Sequence, residues 1–93
     1  MTKESNTIFI GSKPVMNYVL AVVTLIGSGG RKVTLKARGR AITTAVDIAE
    51  IARRRFIDNL KLLKVNIGSE EVPFREREGA RSASIIEITL TME

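Results

Sequence analysis

Two short stretches concentrate the residue types that bind anions. One is Lys36-Ala37-Arg38-Gly39-Arg40 and the other is Gly11-Ser12-Lys13-Pro14. Each couples cations to a glycine, which lets the backbone come close to a ligand. The arginine fork matches two phosphate oxygens at once. Acid–base and nucleophilic chemistry finds no comparable support. The chain has no His and no Cys. The usual general base, the thiolate nucleophile and the commonest metal ligands are therefore missing. Asp47 and Glu50 sit one helical turn apart and read more simply as a solvent face. Gly27-Ser28-Gly29-Gly30 follows a helical pattern instead of a strand, and it lacks the Gly-Lys-Ser/Thr ending of a phosphate loop. No enzyme activity, cofactor or metal is expected.

The charge points the same way. The 93 residues include 15 Lys plus Arg and 10 Asp plus Glu, for a net charge of +5 and a pI of about 10.1. Such a balance suggests an anionic partner and says nothing about fold. The distribution is uneven. Residues 31–64 carry ten basic and three acidic side chains, and residues 65–93 carry three basic and six acidic ones. The electrostatic footprint thus lies in the middle of the chain. Arg53-Arg54-Arg55 is a weaker signal, because cations in the last turn of a helix complement its dipole.

These loops need elements to position them. Thr7 to Ile10 is a short β-rich run ended by Gly11. Pro14 suits a helix start. From Val15 to Ile26 the residues are apolar almost all round, the pattern of a helix covered on more than one side. Its cover is either the sheet with a second helix or a partner subunit. We expect it near the two-fold axis of a dimer, with Val15, Val19 and Val22 shielded. In Arg31 to Ala37, Val33, Leu35 and Ala37 alternate with Lys32, Thr34 and Lys36, a strand of period two. Ala41 to Ile57 reads as a second helix with Ile42, Ala45, Val46, Ala49, Ala52 and Phe56 on its apolar face. Two further strands come next, one with Leu63, Val65 and Ile67 and one with Ile86, Ile88, Leu90 and Met92. The order is β-α-β-α-β-β. In an open α/β layer, loops after parallel strands share one edge of the sheet. The two basic loops would then converge and bring Lys13, Arg38 and Arg40 together.

Residues 69–82 break the core pattern, with seven charged side chains and a turn expected at Glu78-Gly79. A continuous strand from Leu60 to Val72 would be about 43 Å long, against a radius of gyration of about 12 Å for a compact chain of this length. Either the strand breaks near Gly68, or the hairpin projects as an arm carrying an exposed Phe74. The 93 residues suffice for one domain. No stretch approaches the roughly 20 apolar residues of a membrane span. Met1 to Thr7 is polar and lacks a signal core. A soluble, cytoplasmic protein is expected.

The motifs themselves resemble a known family. Ile10-Gly11-Ser12-Lys13-Pro14-Val15-Met16-Asn17-Tyr18 and Lys36-Ala37-Arg38-Gly39-Arg40-Ala41-Ile42 closely resemble the Alba family of small archaeal chromatin proteins. Val65-Asn66-Ile67-Gly68-Ser69 and Ser84-Ile85-Ile86-Glu87-Ile88 match as well, and the likeness runs from about Thr7 to Thr91. It implies an α+β two-layer sandwich like the C-terminal domain of translation initiation factor three, with an extended β-hairpin arm over about 69–82. It also implies a homodimer that binds double-stranded DNA and RNA with little sequence preference and organises the nucleoid. The implied nucleic-acid face is Lys13, Arg38 and Arg40, with Ser12, Asn17, Tyr18 and Lys36 in the same motifs and Arg75, Arg77 and Arg81 on the arm. Phe56, with Arg54, would take part in dimer–dimer contacts that give cooperative coating. Two departures stand out. Ser12 occupies a position where many members have a lysine known as an acetylation target, and the arm carries Glu70, Glu71, Glu76 and Glu78. The other function the resemblance allows is an RNA-binding subunit of a ribonuclease P-like complex.

Overall fold

A computed structural model describes residues 6–92. The polar run Met1–Ser5, which was expected to carry no signal core, lies outside them. Four strands form one sheet: β1 (Thr7–Phe9), β2 (Lys32–Arg38), β3 (Leu60–Pro73) and β4 (Ala80–Met92), in the spatial order β1-β2-β4-β3. The strand β1 pairs parallel with β2, and the other two pairings are antiparallel. Two helices pack on one face of the sheet, α1 (Val15–Gly27) and α2 (Ala41–Ile51), and α2 runs on into a π turn (Ala52–Phe56). The fold is the expected β-α-β-α-β-β sandwich. Among the described residues, no helix is long and apolar enough to cross a membrane.

The alternation of β2 builds the core. Val33, Leu35 and Ala37 point to the helices and are buried, and the register places them beside Leu90, Ile88 and Ile86 of β4. Thr34, Lys36 and Arg38 therefore face the other side, which no helix covers. From α1, Val19 and Val22 close the core with no exposed surface. Their burial comes from the chain's own sheet and second helix, the first of the two covers expected. Met16 and Leu20, one turn apart, are the large apolar α1 residues left exposed. Gly30, just past α1, packs so closely that a Cβ there would lie 2.8 Å from the Leu25 carbonyl oxygen. Close approach explains that glycine.

The apolar face of α2 is rotated from the expected one. Ala45, Ile48, Ala49 and Ala52 are buried, while Val46 and Phe56 are 42% and 46% exposed. The helix also changes pitch. The Ile57 N–H donates to the Ala52 carbonyl oxygen at 2.9 Å, an i to i−5 bond that closes the π turn. Such turns insert one extra residue and turn the side chains beyond it to a new direction.

The arm is real. β3 continues without a break through Gly68, and its ladder with β4 runs from Leu60↔Met92 to Pro73↔Ala80, with a bulge at Leu62/Lys64. The molecule extends 46 × 28 × 19 Å, with a radius of gyration of 14.2 Å. The tip is residues 74–79, closed by a bond from the Phe74 N–H to the Gly79 carbonyl oxygen at 3.1 Å. Gly79 has φ +100°, a conformation that favours glycine. Phe74 is half-buried instead of exposed. Its ring packs under the Arg77 guanidinium, 4.1 Å from the ring centre.

Candidate nucleic-acid interface

The parallel pairing of β1 and β2 sends both chain exits to one edge of the sheet. The Ile10 N–H donates to the Lys36 carbonyl oxygen at 2.9 Å, so the two strands stay joined up to the point where the loops begin. The loops flank one open groove. Its walls include Gly11 and Ser12 from the first loop, Lys36, Arg38, Gly39 and Arg40 from the second, and Glu70 and Arg81 from the arm.

The convergence is as expected, but the backbone plays a different part. The Gly11 and Lys13 N–H groups both donate to the Tyr18 hydroxyl oxygen, at 2.9 and 3.1 Å. A phenol oxygen has two lone pairs, and here both are used. Tyr18 is itself buried on the first turns of α1. It stands behind the loop and sets its shape, and it does not contribute to the outer surface. On the second loop, the Gly39 N–H donates to the Ser84 carbonyl oxygen at 2.9 Å, and the Gly39 carbonyl accepts from the Ile42 N–H at 3.1 Å. Gly39 has φ +58°, and a glycine is what tolerates that turn. The N–H groups at Gly11, Lys13 and Gly39 are thus engaged inside the protein.

The cations fall into two sets. Lys36 reaches Glu87 across the strands at 3.3 Å, and Arg38 donates to Glu70 at 2.6 Å. The acidic arm is therefore not merely near the groove, since Glu70 occupies one of its arginines. Both pairs are solvent-exposed, and such pairs are worth about 0–1 kcal/mol each. Lys13, Arg40 and Arg81 have no ion-pair partner among the described residues. Arg40 and Arg81 line the groove, and Lys13 is exposed beside Ser12 without lining it.

The remaining candidates are more scattered. Asn17 is exposed on the first turn of α1, its N–H bonded to the Pro14 carbonyl oxygen at 3.0 Å. Arg75 and Arg77 lie at the arm tip, just beyond the Val72↔Arg81 pair. Arg54 donates to Glu50 at 2.5 Å, and Arg53 reaches the same carboxylate at 3.2 Å. The hydrogen bond from Arg54, with the charge of Arg53 and Arg54, holds the Glu50 carboxyl below the usual carboxylate range. Arg54 is thereby tethered along its own helix. The feature that sequence reasoning missed is the anchoring by Tyr18, and its signal was the spacing of a lone Tyr one turn after the Gly-Ser-Lys-Pro loop.

Comparison with known proteins gives the same outline. Residues 6–69 match the family model described as Alba. The chain is 48% identical over 85 residues to the DNA/RNA-binding protein Alba 1 of Archaeoglobus fulgidus, covering 91% of this chain and 93% of that one. It is 49% identical over 82 residues to the DNA/RNA-binding protein Alba of Methanocella arvoryzae, covering 88% and 85%. The solved structure of Alba from Thermoplasma volcanium superposes with a TM-score of 0.87 at 45% identity, covering 92% of this chain and 99% of that one. ALBA1 from Trypanosoma brucei has a TM-score of 0.76 at 20% identity, covering 94% and 68%, a likeness of fold.

Replacing Tyr18 with Phe removes the acceptor for two loop N–H groups and keeps the ring. Urea unfolding should report a loss of about 1–3 kcal/mol. Amide exchange at Gly11 and Lys13 should accelerate relative to Ile10. Unchanged exchange at those two amides would show that Tyr18 does not hold the loop.

Proposed function

The chain belongs to the Alba family, and on that premise we propose that it binds double-stranded DNA and RNA as a homodimer, through the groove cations and with little regard to sequence. The observation that carries this reading is the meeting of Lys36, Arg38, Arg40 and Arg81 on one sheet edge, beside the Ser12 hydroxyl and Lys13. Relatives nearly half identical over most of their length bear the name DNA/RNA-binding protein, which supports the same ligand class. Phosphate contacts fix position without reading bases. A phosphate oxygen displaces Glu70 from Arg38 in a like-for-like exchange of anions, which costs little at an exposed pair. No bond is made or broken, and the protein works as a binder, not an enzyme.

The homodimer reading rests on β3. This edge strand leaves Leu62, Leu63, Val65 and Ile67 between 47% and 80% exposed, and Leu62, Val65 and Ile67 lie on the helix side of the sheet. An apolar edge strand of this length left bare is an aggregation hazard, and a second copy covers it. Dimerisation doubles the set of groove cations and lets two arms with Arg75 and Arg77 bracket a duplex. Phe56, half exposed at the end of the π turn, is the candidate for contacts between neighbouring dimers, with Arg54 beside it. The protein acts as one domain and resides on the chromosome, where such coating packages DNA.

If the dimer neutralises about six phosphates, through Lys13, Arg38 and Arg40 of each copy, the log–log salt slope of duplex binding should be near −5, from about −0.9 per contact. Fluorescence anisotropy across a salt series measures it. Replacing Arg38 and Arg40 with Ala should flatten the slope to about −2 and weaken binding equally across unrelated sequences. A wild-type slope near zero contradicts the reading, and sequence-dependent loss in the variant means base readout. Sedimentation at micromolar concentration should give a dimer for the wild type and a folded monomer for Ile67→Asp. A monomeric wild type would rule out the dimer.

A further inference from the structure

One face of the sheet carries no helix, and its residues are nearly all polar. Thr7, Thr34, Thr89 and Lys64 lie in one row across the strands, and Thr34 and Thr89 join hydroxyls at 3.2 Å. The next row is Phe9, Lys36, Glu87 and Asn66. Lys32 and Lys61 flank Thr91 one row behind. Among these threonines and lysines stands one aromatic ring, that of Phe9, which is 70% exposed. The chain's other aromatics are elsewhere: Tyr18 in the core, Phe56 in the π turn and Phe74 in the arm tip.

A single exposed Phe is ordinary on a protein surface, so the case rests on what surrounds this one. The Lys36 ammonium stands 6.0 Å from the ring centre. Thr7, Thr34, Lys36 and Glu87 wall a shallow depression with the ring. Phe9 and Lys36 also line the groove of Arg38 and Arg40, so depression and groove are continuous. Arg38 lies one pleat repeat beyond Lys36 on the same face, about 7 Å along β2. An aromatic ring on an open sheet, with cations within one nucleotide's reach, is the arrangement on which unpaired bases stack.

We propose that Phe9 is a base-stacking site, and that the open sheet face binds single-stranded nucleic acid with one unpaired base on that ring and the adjoining phosphates on Lys36 and Arg38. The inference rests on the groove being the phosphate-binding site. It adds that duplex and single strand are bound differently. A duplex keeps its base faces stacked inside, so it uses the groove cations alone. A single strand uses the cations and the ring. The strand β1 lies at the opposite edge of the sheet from β3, so a second copy seated on β3 leaves Phe9 open.

The test compares Phe9→Ala, Phe9→Leu and Phe9→Tyr with the wild type by fluorescence anisotropy. The probes are a single-stranded polyuridine of about 16 nucleotides, near the upper end of ordinary site sizes, and a mixed-sequence DNA duplex. Phe9→Ala should weaken single-strand binding roughly 5- to 100-fold, the range for loss of one base–aromatic stack. Phe9→Leu should lose nearly as much, and Phe9→Tyr should stay within about 2-fold of the wild type. Duplex affinity and the salt slopes should be unchanged in all three. Because the ring is exposed, thermal melts should match the wild type. Single-strand affinity unchanged in Phe9→Ala, wild-type affinity in Phe9→Leu, or an equal loss on the duplex each overturns the stacking site. A wild type without salt-sensitive duplex binding overturns the phosphate reading beneath it, a result separate from those three.

Discussion

The parallel pairing of β1 with β2 is the constraint on which the proposed binding edge depends. Only three residue pairs make it, Thr7 with Thr34, Ile8 with Leu35 and Phe9 with Lys36. Parallel strands leave the sheet at the same edge, so two loops distant in sequence emerge side by side. An antiparallel β1 would send Gly11-Ser12-Lys13 to the other end of the sheet and divide the cations. Three further sets of bonds finish the edge. Tyr18 holds the first loop from behind, Ser84 anchors Gly39, and the Ile10 N–H extends the strand pairing. Each is made by a core-facing or backbone group, so none of them uses a charged side chain of the outer surface.

The net charge of +5 conceals how these side chains are poised. Lys36 and Arg38 each have a carboxylate neighbour, from Glu87 and Glu70, while Lys13, Arg40 and Arg81 have none among the described residues. The two internal pairs hold their cations only weakly, because both are exposed to solvent. Glu70 belongs to the arm, so the arm's acidity reaches into the groove instead of staying at the tip. Arm and groove are thereby joined through a single carboxylate.

Much of this was legible in the residue order. Alternation in Lys32–Arg38 predicted which side chains enter the core, because a strand has a period of two and one face is buried. Glycines next to cations at the two strand ends predicted the loops. What escaped has physical reasons. The local pattern left the continuity of β3 through Gly68 open and only the family likeness implied the arm, because that continuity depends on thirteen paired positions with β4. The α2 face comes out rotated, with Ile48 inside in place of Val46, because both are β-branched and apolar and only packing against the sheet decides between them. The π turn is a single shifted hydrogen bond. The role of Tyr18 is a contact between a helix side chain and a loop backbone, and Tyr at that spacing reads equally well as core or surface. Phe74 was expected to be exposed, and the cation from Arg77 three residues on was not foreseen as its cover.

The central proposal is that one sheet edge, formed by two loops and the arm residues Glu70 and Arg81, meets the nucleic acid. A titration of the isotope-labelled protein with a short DNA duplex, monitored by amide chemical shifts, tests it most directly. The account predicts that shifts gather at Gly11–Lys13, Arg38–Ala41 and Glu70–Arg81, while Met16, Leu20 and the outer face of α2 stay still. Shifts concentrated on the helices, with the two loops unmoved, would contradict it.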